Sequence, residues 1–358
     1  MTKVKEIYGY VNELPKGAIL NTDIYNSSGA LLCPKMTVIN DDVLQSLSAY
    51  KGKIQATLTY IEENTVADDA ELPEEDNSVS FDDSFKKYAV ESLTTLYSNI
   101  EDVEELTNGV IEIGSKVCSV INDSKELSIN LSKLKVSDEY TYKHSVDVGT
   151  MAAIVAKAMG ESEQFVNDIA VAGLLHDIGK EEIPLHILNK PAKLSFTEFE
   201  LMKTHPVRGY RLLVDSDDIS EDMRKAILNH HENIDGTGYP RQLSGNEIGK
   251  MAQIISIVDV YDALVTKRPY KEAKSPAEAI EMMFAMSNKF NLDIFRTFLS
   301  VVNIYPNGST VKLSNGQVAT VLRQNKSYPL RPVIKITSIK TIVDLSIDKN
   351  YLSTVIVA

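Results

Sequence analysis

The hydrophobic rhythm of the chain changes twice. Over residues 1–60, apolar and β-branched residues come in short runs broken by turn formers. Residues 4–11 and 18–25 read as strands, with Pro15-Lys16-Gly17 and Asn26-Ser27-Ser28-Gly29 as turns and 41–49 as a short helix. Residues 61–84 lack a periodic apolar set and contain Pro73, so they read as a linker. From about residue 85 the period lengthens to three and four, as in Leu93, Leu96, Ile100, Val103 and Leu106, then Val110, Ile113, Val117 and Val120. Further helices are expected over 139–159, 162–177, 195–202, 206–214, 220–231, 247–265, 275–287 and 291–302. After Tyr305-Pro306-Asn307-Gly308 short strands return at 310–313, 317–322, 333–336 and 341–345, with Ser314-Asn315-Gly316 as a hairpin turn. The pattern predicts a mainly α protein: a small β-rich domain (1–60), a linker (61–84), a central helical bundle (85–304) and a small C-terminal β unit (305–358).

Composition adds little to this picture. At 358 residues, 43% apolar and 24% charged, the chain is ordinary for a globular protein of two or three domains. No run approaches the eighteen or so apolar residues of a membrane span, and the first residues lack a signal-peptide core. Cys33 and Cys118 stand far apart, outside any metal-ligand spacing, and read as reduced thiols of a cytoplasmic protein. The net charge of −13 is uneven: residues 61–84 carry ten acids and no Lys or Arg, which leaves −3 for everything else. The acidity therefore belongs to one segment and does not decide the potential of a site elsewhere. No polymeric nucleic acid is expected as a partner.

Candidate chemistry comes from histidine. There are six, and His144, His176, His205, His230 and His231 sit in helical contexts within 88 residues. Taken singly, each reads as a hydrogen-bonded core histidine. Asp177, beside His176, and Asp259, inside Ile254-Ile255-Ser256-Ile257-Val258-Asp259, place carboxylates where an apolar helix would be buried; each needs a compensating charge. Jointly, seven imidazoles and carboxylates at the core-facing ends of five helices fit a metal site, which helix bundles commonly build this way.

The pair His176-Asp177 and the segment His230-His231-Glu232-Asn233-Ile234-Asp235-Gly236-Thr237-Gly238-Tyr239-Pro240 resemble the HD-GYP family, a branch of the HD superfamily of metal-dependent phosphohydrolases. Lys193-Leu194-Ser195 through His205-Pro206 and Gly209, and Asp259-Val260-Tyr261-Asp262 through Arg268-Pro269-Tyr270-Lys271, are similar to the family's other landmarks. The resemblance covers roughly 135–300 and implies an HD-type bundle that hydrolyses cyclic di-GMP to pGpG by attack of a metal-bridging hydroxide, with GMP as the product of any second cleavage. It implies that His144, His176, Asp177 and Asp259 hold one divalent ion and that His205, His230 and His231 hold a second, with Asp177 bridging. Fe or Mn suit this donor set best, with Zn as a further candidate. Lys180 is expected on a non-bridging phosphoryl oxygen, Arg268 and Lys271 on substrate phosphates, and Tyr239 against a base. Asp262, one turn after Asp259, is expected to orient a ligand or the nucleophile.

Some family members carry a third-metal Glu four residues before the first ligand histidine. Here that position is Tyr140, and Glu139 lies off the face of His144, so a dinuclear site is expected. His186 matches no ligand position, Glu232 is expected to support a ligand from behind, and Asp235-Gly236-Thr237-Gly238 fits a plain turn equally well. Two other readings stay open: a hydrolase of another cyclic dinucleotide such as cyclic GMP–AMP, and a catalytically silent cyclic di-GMP receptor. The N-terminal unit fits a packing or homodimerisation module as well as a sensory one.

Overall fold

A computed structural model describes residues 2–10, 14, 18–26, 28–48, 50–61, 73–75, 78–124, 126–130, 142–267 and 272–357. The chain divides into two compact units, Met1–Glu71 and Leu72–Ala358. In the first, β1 (Thr2–Gly9) runs antiparallel to β5 (Ile54–Ile61), with Thr2 opposite Ile61 and Gly9 opposite Ile54; β2 (Ile19–Leu20) adds to the other edge of β5. The sequence pattern did not single out β5, the central strand. The single strand expected over 18–25 is two short ones, β2 and β3 (Ile24–Tyr25). Polar side chains between them take up backbone partners: Thr22 Oγ1 accepts from Thr57 N (3.0 Å) and Asp23 Oδ1 from Lys35 N (2.6 Å). β3 pairs with β4 (Leu31–Cys33), and α1 (Asp41–Leu47) follows, its start capped by Asn40. Leu20, Ile24, Ile39, Ile54 and Leu58 form the core of this unit.

The second unit is mainly helical. α2 (Asp83–Ser98) and α3 (Val103–Asp123) present apolar stripes to a central layer of α4 (Lys143–Ala158), α5 (Glu163–Leu175) and α10 (Lys250–Val265). α4 and α10 bury most of their residues, and α5 buries every residue from Ile169 to its end, as enclosed helices do. Between them run α6 (Leu185–Leu188), α7 (Phe196–Met202), α8 (His205–Leu212) and α9 (Glu221–Asn229); α11 (Pro276–Ala285) and α12 (Leu292–Val301) close the bundle. Helix starts follow the capping chemistry of the sequence: Ser162, Ser220 and Asn291 accept from backbone N–H groups of the first turn, and Ser195/Glu198 and Ser275/Glu278 form reciprocal capping boxes. The C-terminal strands β6 (Thr310–Lys312), β7 (Val318–Arg323), β8 (Val333–Ile336) and β9 (Ile342–Asp344) form one antiparallel sheet in that order, turned at Gly316 (φ +85°).

One close approach sets the position of the site. α4 and α5 cross at Gly149 and Gly173, and a Cβ placed on Gly173 would lie 2.6 Å from the Gly149 Cα. This contact brings the first turn of α4, with His144, alongside the end of α5, with His176; their ring centroids are 5.1 Å apart. A methyl group at Gly173 must push two helices apart, an overpacking cost of about 1–3 kcal/mol. Gly173→Ala is therefore expected to lower the melting temperature by a few degrees in calorimetry, and an unchanged melting temperature would contradict the account of this crossing.

Candidate metal centre

Three of the histidines are oriented by one local device. The last carbonyls of a helix have no partner within it. His176, just past the end of α5, directs Nδ1 to Gly173 O at 2.7 Å; His230, just past α9, does the same to Ile227 O at 2.7 Å; and His205, the first residue of α8, to the O of Met202, the last residue of α7, at 2.8 Å. Each acceptor lies three residues back. A carbonyl only accepts, so Nδ1 carries the proton in all three rings and Nε2 of the neutral ring is left with a bare lone pair. These nitrogens converge: His205 Nε2 and His230 Nε2 are 3.3 Å apart in a buried pocket, and His176 Nε2 has no hydrogen-bond partner at all. Facing lone pairs at that distance repel unless a cation lies between them. His176 and His230 directly follow the C-terminal ends of α5 and α9, the negative ends of those helix dipoles, which further favours a cation.

The carboxylates close the ring. Asp177 Oδ1 lies 3.3 Å from His205 Nε2 and 4.0 Å from His230 Nε2, and Oδ2 lies 3.3 Å from His176 Nε2 and 3.8 Å from His144 Nε2. Asp259 Oδ1 is 3.0 Å from His144 Nε2, and its Oδ2 is 3.8 Å from His231 Nδ1. Two ligand-sized sets result: Asp177, His205, His230 and His231, and beside them His144, His176 and Asp259, each able to hold a metal ion. Asp177 sits in the first set with one oxygen turned to the second, as a shared carboxylate would. All seven expected ligands are thus brought together. Asp262, fully buried on α10, sets the ring of His144: its Oδ2 bonds His144 Nδ1 at 2.7 Å, while Thr266 Oγ1 donates to its other oxygen at 3.0 Å. Lys180 donates to Asp177 Oδ2. Gly179 allows this turn to touch α8, since a Cβ there would meet the backbone of His205 and Gly209.

The segment after His231 is pinned by a residue whose role the sequence left vague. Glu232 is buried and accepts from the backbone N–H groups of Arg241 (2.6 Å) and Leu243 (3.1 Å), which locks the loop that carries Tyr239. Gly238 has no room for a side chain, with Asn233 N and Glu232 Cα both 2.4 Å from where a Cβ would be. The Tyr239 ring then packs against His231 with centroids 4.8 Å apart and the ring planes tilted by 36°. Asp235 has a turn role, accepting from Thr237 N, Thr237 Oγ1 and Asn288 Nδ2. His186 is exposed on α6. Arg268, Lys271, Tyr140 and Glu139 lie outside the described residues, as does most of the acidic linker. Among the described residues Cys33 and Cys118 are free and buried, and no helix is long and apolar enough to cross a membrane.

Comparison with known proteins agrees with this geometry. Residues 117–294 match the family model described as HD domain. The chain is 42% identical to a cyclic di-GMP phosphodiesterase of Pseudomonas aeruginosa over 208 residues, 58% of this chain and 50% of the relative. It is 40% identical to a cyclic di-GMP phosphodiesterase of Thermotoga maritima over 166 residues, 46% of this chain and 45% of that one. The chain thus spans about half the length of the curated relatives it matches. Among solved structures, an HDG"Y"P protein from Bdellovibrio bacteriovorus shares the fold with a TM-score of 0.50 at 19% identity, covering 83% of this chain and 98% of that one. Residues 117–294 thus carry an HD domain, similar in sequence to those two phosphodiesterases.

The charges at the centre make a pH prediction. Burial is the main influence on His230, ahead of repulsion from His231, His176 and His205, and it holds that ring well below its ordinary value; burial also takes His231 down to about 3. Burial pulls on His144 too, but hydrogen bonds to Asp259 and Asp262 outweigh it and hold that ring up at about 10. Burial works against ionisation of Asp177 and Asp259, yet their cationic and imidazole neighbours keep both well below the usual carboxylate range. The unfolded chain titrates its histidines near 6.5, so the low pKa of His230 and His231 costs stability as pH falls below that value. His144 contributes stability that is complete below 6.5 and lost toward pH 10; the carboxylates contribute stability lost only in strong acid. Between pH 7 and 5 the two low histidines therefore dominate. Chelator-treated protein should melt at lower temperature at pH 5 than at pH 7, and His231→Gln should reduce that difference; an equal drop in parent and variant would contradict the assignment.

Proposed function

We propose that the chain is a metal-dependent phosphodiesterase that hydrolyses cyclic di-GMP to pGpG, with His144, His176, Asp177, His205, His230, His231 and Asp259 holding two divalent ions. The observation that carries this reading is the convergence of bare imidazole nitrogens and carboxylate oxygens in two adjoining sets. Five imidazoles with two carboxylates and no thiolate suit Fe or Mn, and then Zn, over Ca or Mg. When bound, such a pair supplies an activated water for in-line attack and charge to stabilise the phosphoryl group. The names of the two relatives above support cyclic di-GMP as substrate.

Each protein group then has a task. Asp177 presents one oxygen to each set, which keeps two like charges tolerably close. Asp262 fixes the His144 ring, so that Nε2 faces Asp259. Lys180, three residues past Asp177, is the cation assigned to a non-bridging phosphoryl oxygen, where charge grows during attack. Arg268 and Lys271, by family resemblance, are assigned to the phosphates. Tyr239, packed on His231, presents a ring at the edge of the centre.

Metal-loaded protein incubated with cyclic di-GMP should release pGpG, followed by chromatography. Tight binding without turnover would indicate a silent receptor, and cleavage of cyclic GMP–AMP alone would reassign the substrate. Asp177→Ala should lose both turnover and metal. Lys180→Ala should keep its metal and lose on the order of 10²-fold in kcat, the loss typical of one electrostatic donor; full activity in that variant would remove Lys180 from the mechanism.

A further inference from the structure

α7 is an unusual surface helix. None of its seven residues is buried, yet it carries two phenylalanines, Phe196 at 79% exposure and Phe199 at 47%. It is held firmly all the same, by its Ser195/Glu198 capping box and by the Lys190–Glu198 ion pair at 2.6 Å. Residues 196, 199 and 203 fall at helical spacings of three and four, so they share one face. At the end of that face Lys203 Nζ lies 5.5 Å from the Phe199 ring centroid and 5.9 Å from that of Tyr239. Tyr239 in turn packs against His231. A path of ring, ammonium and ring (Tyr239, Lys203 and Phe199) therefore leads outward from the candidate metal centre to α7.

A phenylalanine that served the core would be buried, and a lysine that served only solubility would not be gathered between two rings. An exposed aromatic face beside a cation matches the two chemical parts of a nucleotide: a planar base that stacks and a phosphate that accepts charge-assisted hydrogen bonds. A cyclic dinucleotide with one phosphodiester at the metals has a second phosphodiester and its bases left to be held. We infer that α7 is the wall that binds this non-reacting half of the substrate, with the Phe199 ring against a base and the Lys203 ammonium on the phosphodiester that is not cleaved. The inference rests on the phosphodiesterase reading above and adds two binding residues to it. Glu200 already pairs with Lys203 at 2.5 Å, three residues away on the same helix, with its own carboxylate exposed and the Lys203 side chain part-buried. Such pairs are weak, so the phosphodiester displaces it, and Glu200 acts as a brake on binding.

The test is steady-state kinetics on metal-loaded full-length protein with cyclic di-GMP, and inorganic phosphate as a competitive probe of the metal centre alone. Phe199→Ala should raise KM about tenfold or more, as loss of one stacked base does, with the loss carried by KM rather than kcat and the inhibition constant of phosphate unmoved. Lys203→Gln should raise KM similarly, Lys203→Arg should restore it, and Glu200→Gln should lower it about two- to fivefold, the range of a weak surface pair. Because α7 buries none of its residues, these variants are expected to fold. Parental KM in both Phe199→Ala and Lys203→Gln would overturn the inference, as would an equal weakening of phosphate inhibition. A parent protein that binds cyclic di-GMP without cleaving it would sink the catalytic reading only; the same variants are then compared by equilibrium binding, and unchanged affinity overturns the wall. A parent that neither binds nor cleaves cyclic di-GMP overturns both.

Discussion

The structure depends on a repulsion. Three imidazoles donate their Nδ1 protons to carbonyls at helix ends and so aim bare Nε2 lone pairs into one buried pocket, two of them 3.3 Å apart. Buried, unpaired polar atoms are expensive, and the fold places two of them, His176 Nε2 and Asp177 Oδ1, in this cluster of imidazoles and carboxylates. Divalent ions held by the two sets would turn these costs into bonds. The arrangement makes sense as a set of ligands prepared in advance: tautomers fixed, rings oriented and charges balanced before an ion arrives.

The rest of the bundle serves that preparation. The glycine crossing of α4 and α5 allows His144 and His176 to approach, and Gly179 lets the turn after Asp177 rest on α8. Glu232, by holding the backbone of Arg241 and Leu243, secures the loop that sets Tyr239 against His231. The candidate chemistry is thus built from helix ends, with the part-buried Tyr239 and Lys203 lying between His231 and the exposed Phe199.

Much of this was legible in the sequence. The three- and four-residue apolar spacing gave the helices to within a few residues, and the C-terminal strands fell at almost the expected positions. His176-Asp177 and His230-His231, rare residues at the ends of apolar runs, pointed to the ligands that the fold gathers. What sequence did not yield is whatever depends on the backbone in three dimensions. The carbonyls that fix the tautomers belong to Gly173, Met202 and Ile227, whose side chains say nothing of that role. Gly149 and Gly173 lie inside helices that the periodicity predicts, but their role at a crossing depends on how those helices pack. The central strand Ile54–Ile61 was passed over because its partner β1 lies over forty residues away, and Thr22 and Asp23 interrupted the expected strand through side-chain bonds to distant backbone. Lys203, two residues before a ligand, and Phe199 carried a signal in their helical spacing, but their proximity to Tyr239 appears only in the fold.

The account turns on how many ions this pocket holds. Elemental analysis of protein purified without oxygen, with ions counted per chain, tests it most directly. Two transition-metal ions per chain are expected from two adjoining sets that share Asp177. A fully loaded protein with three ions, or one that retains none, would contradict the account.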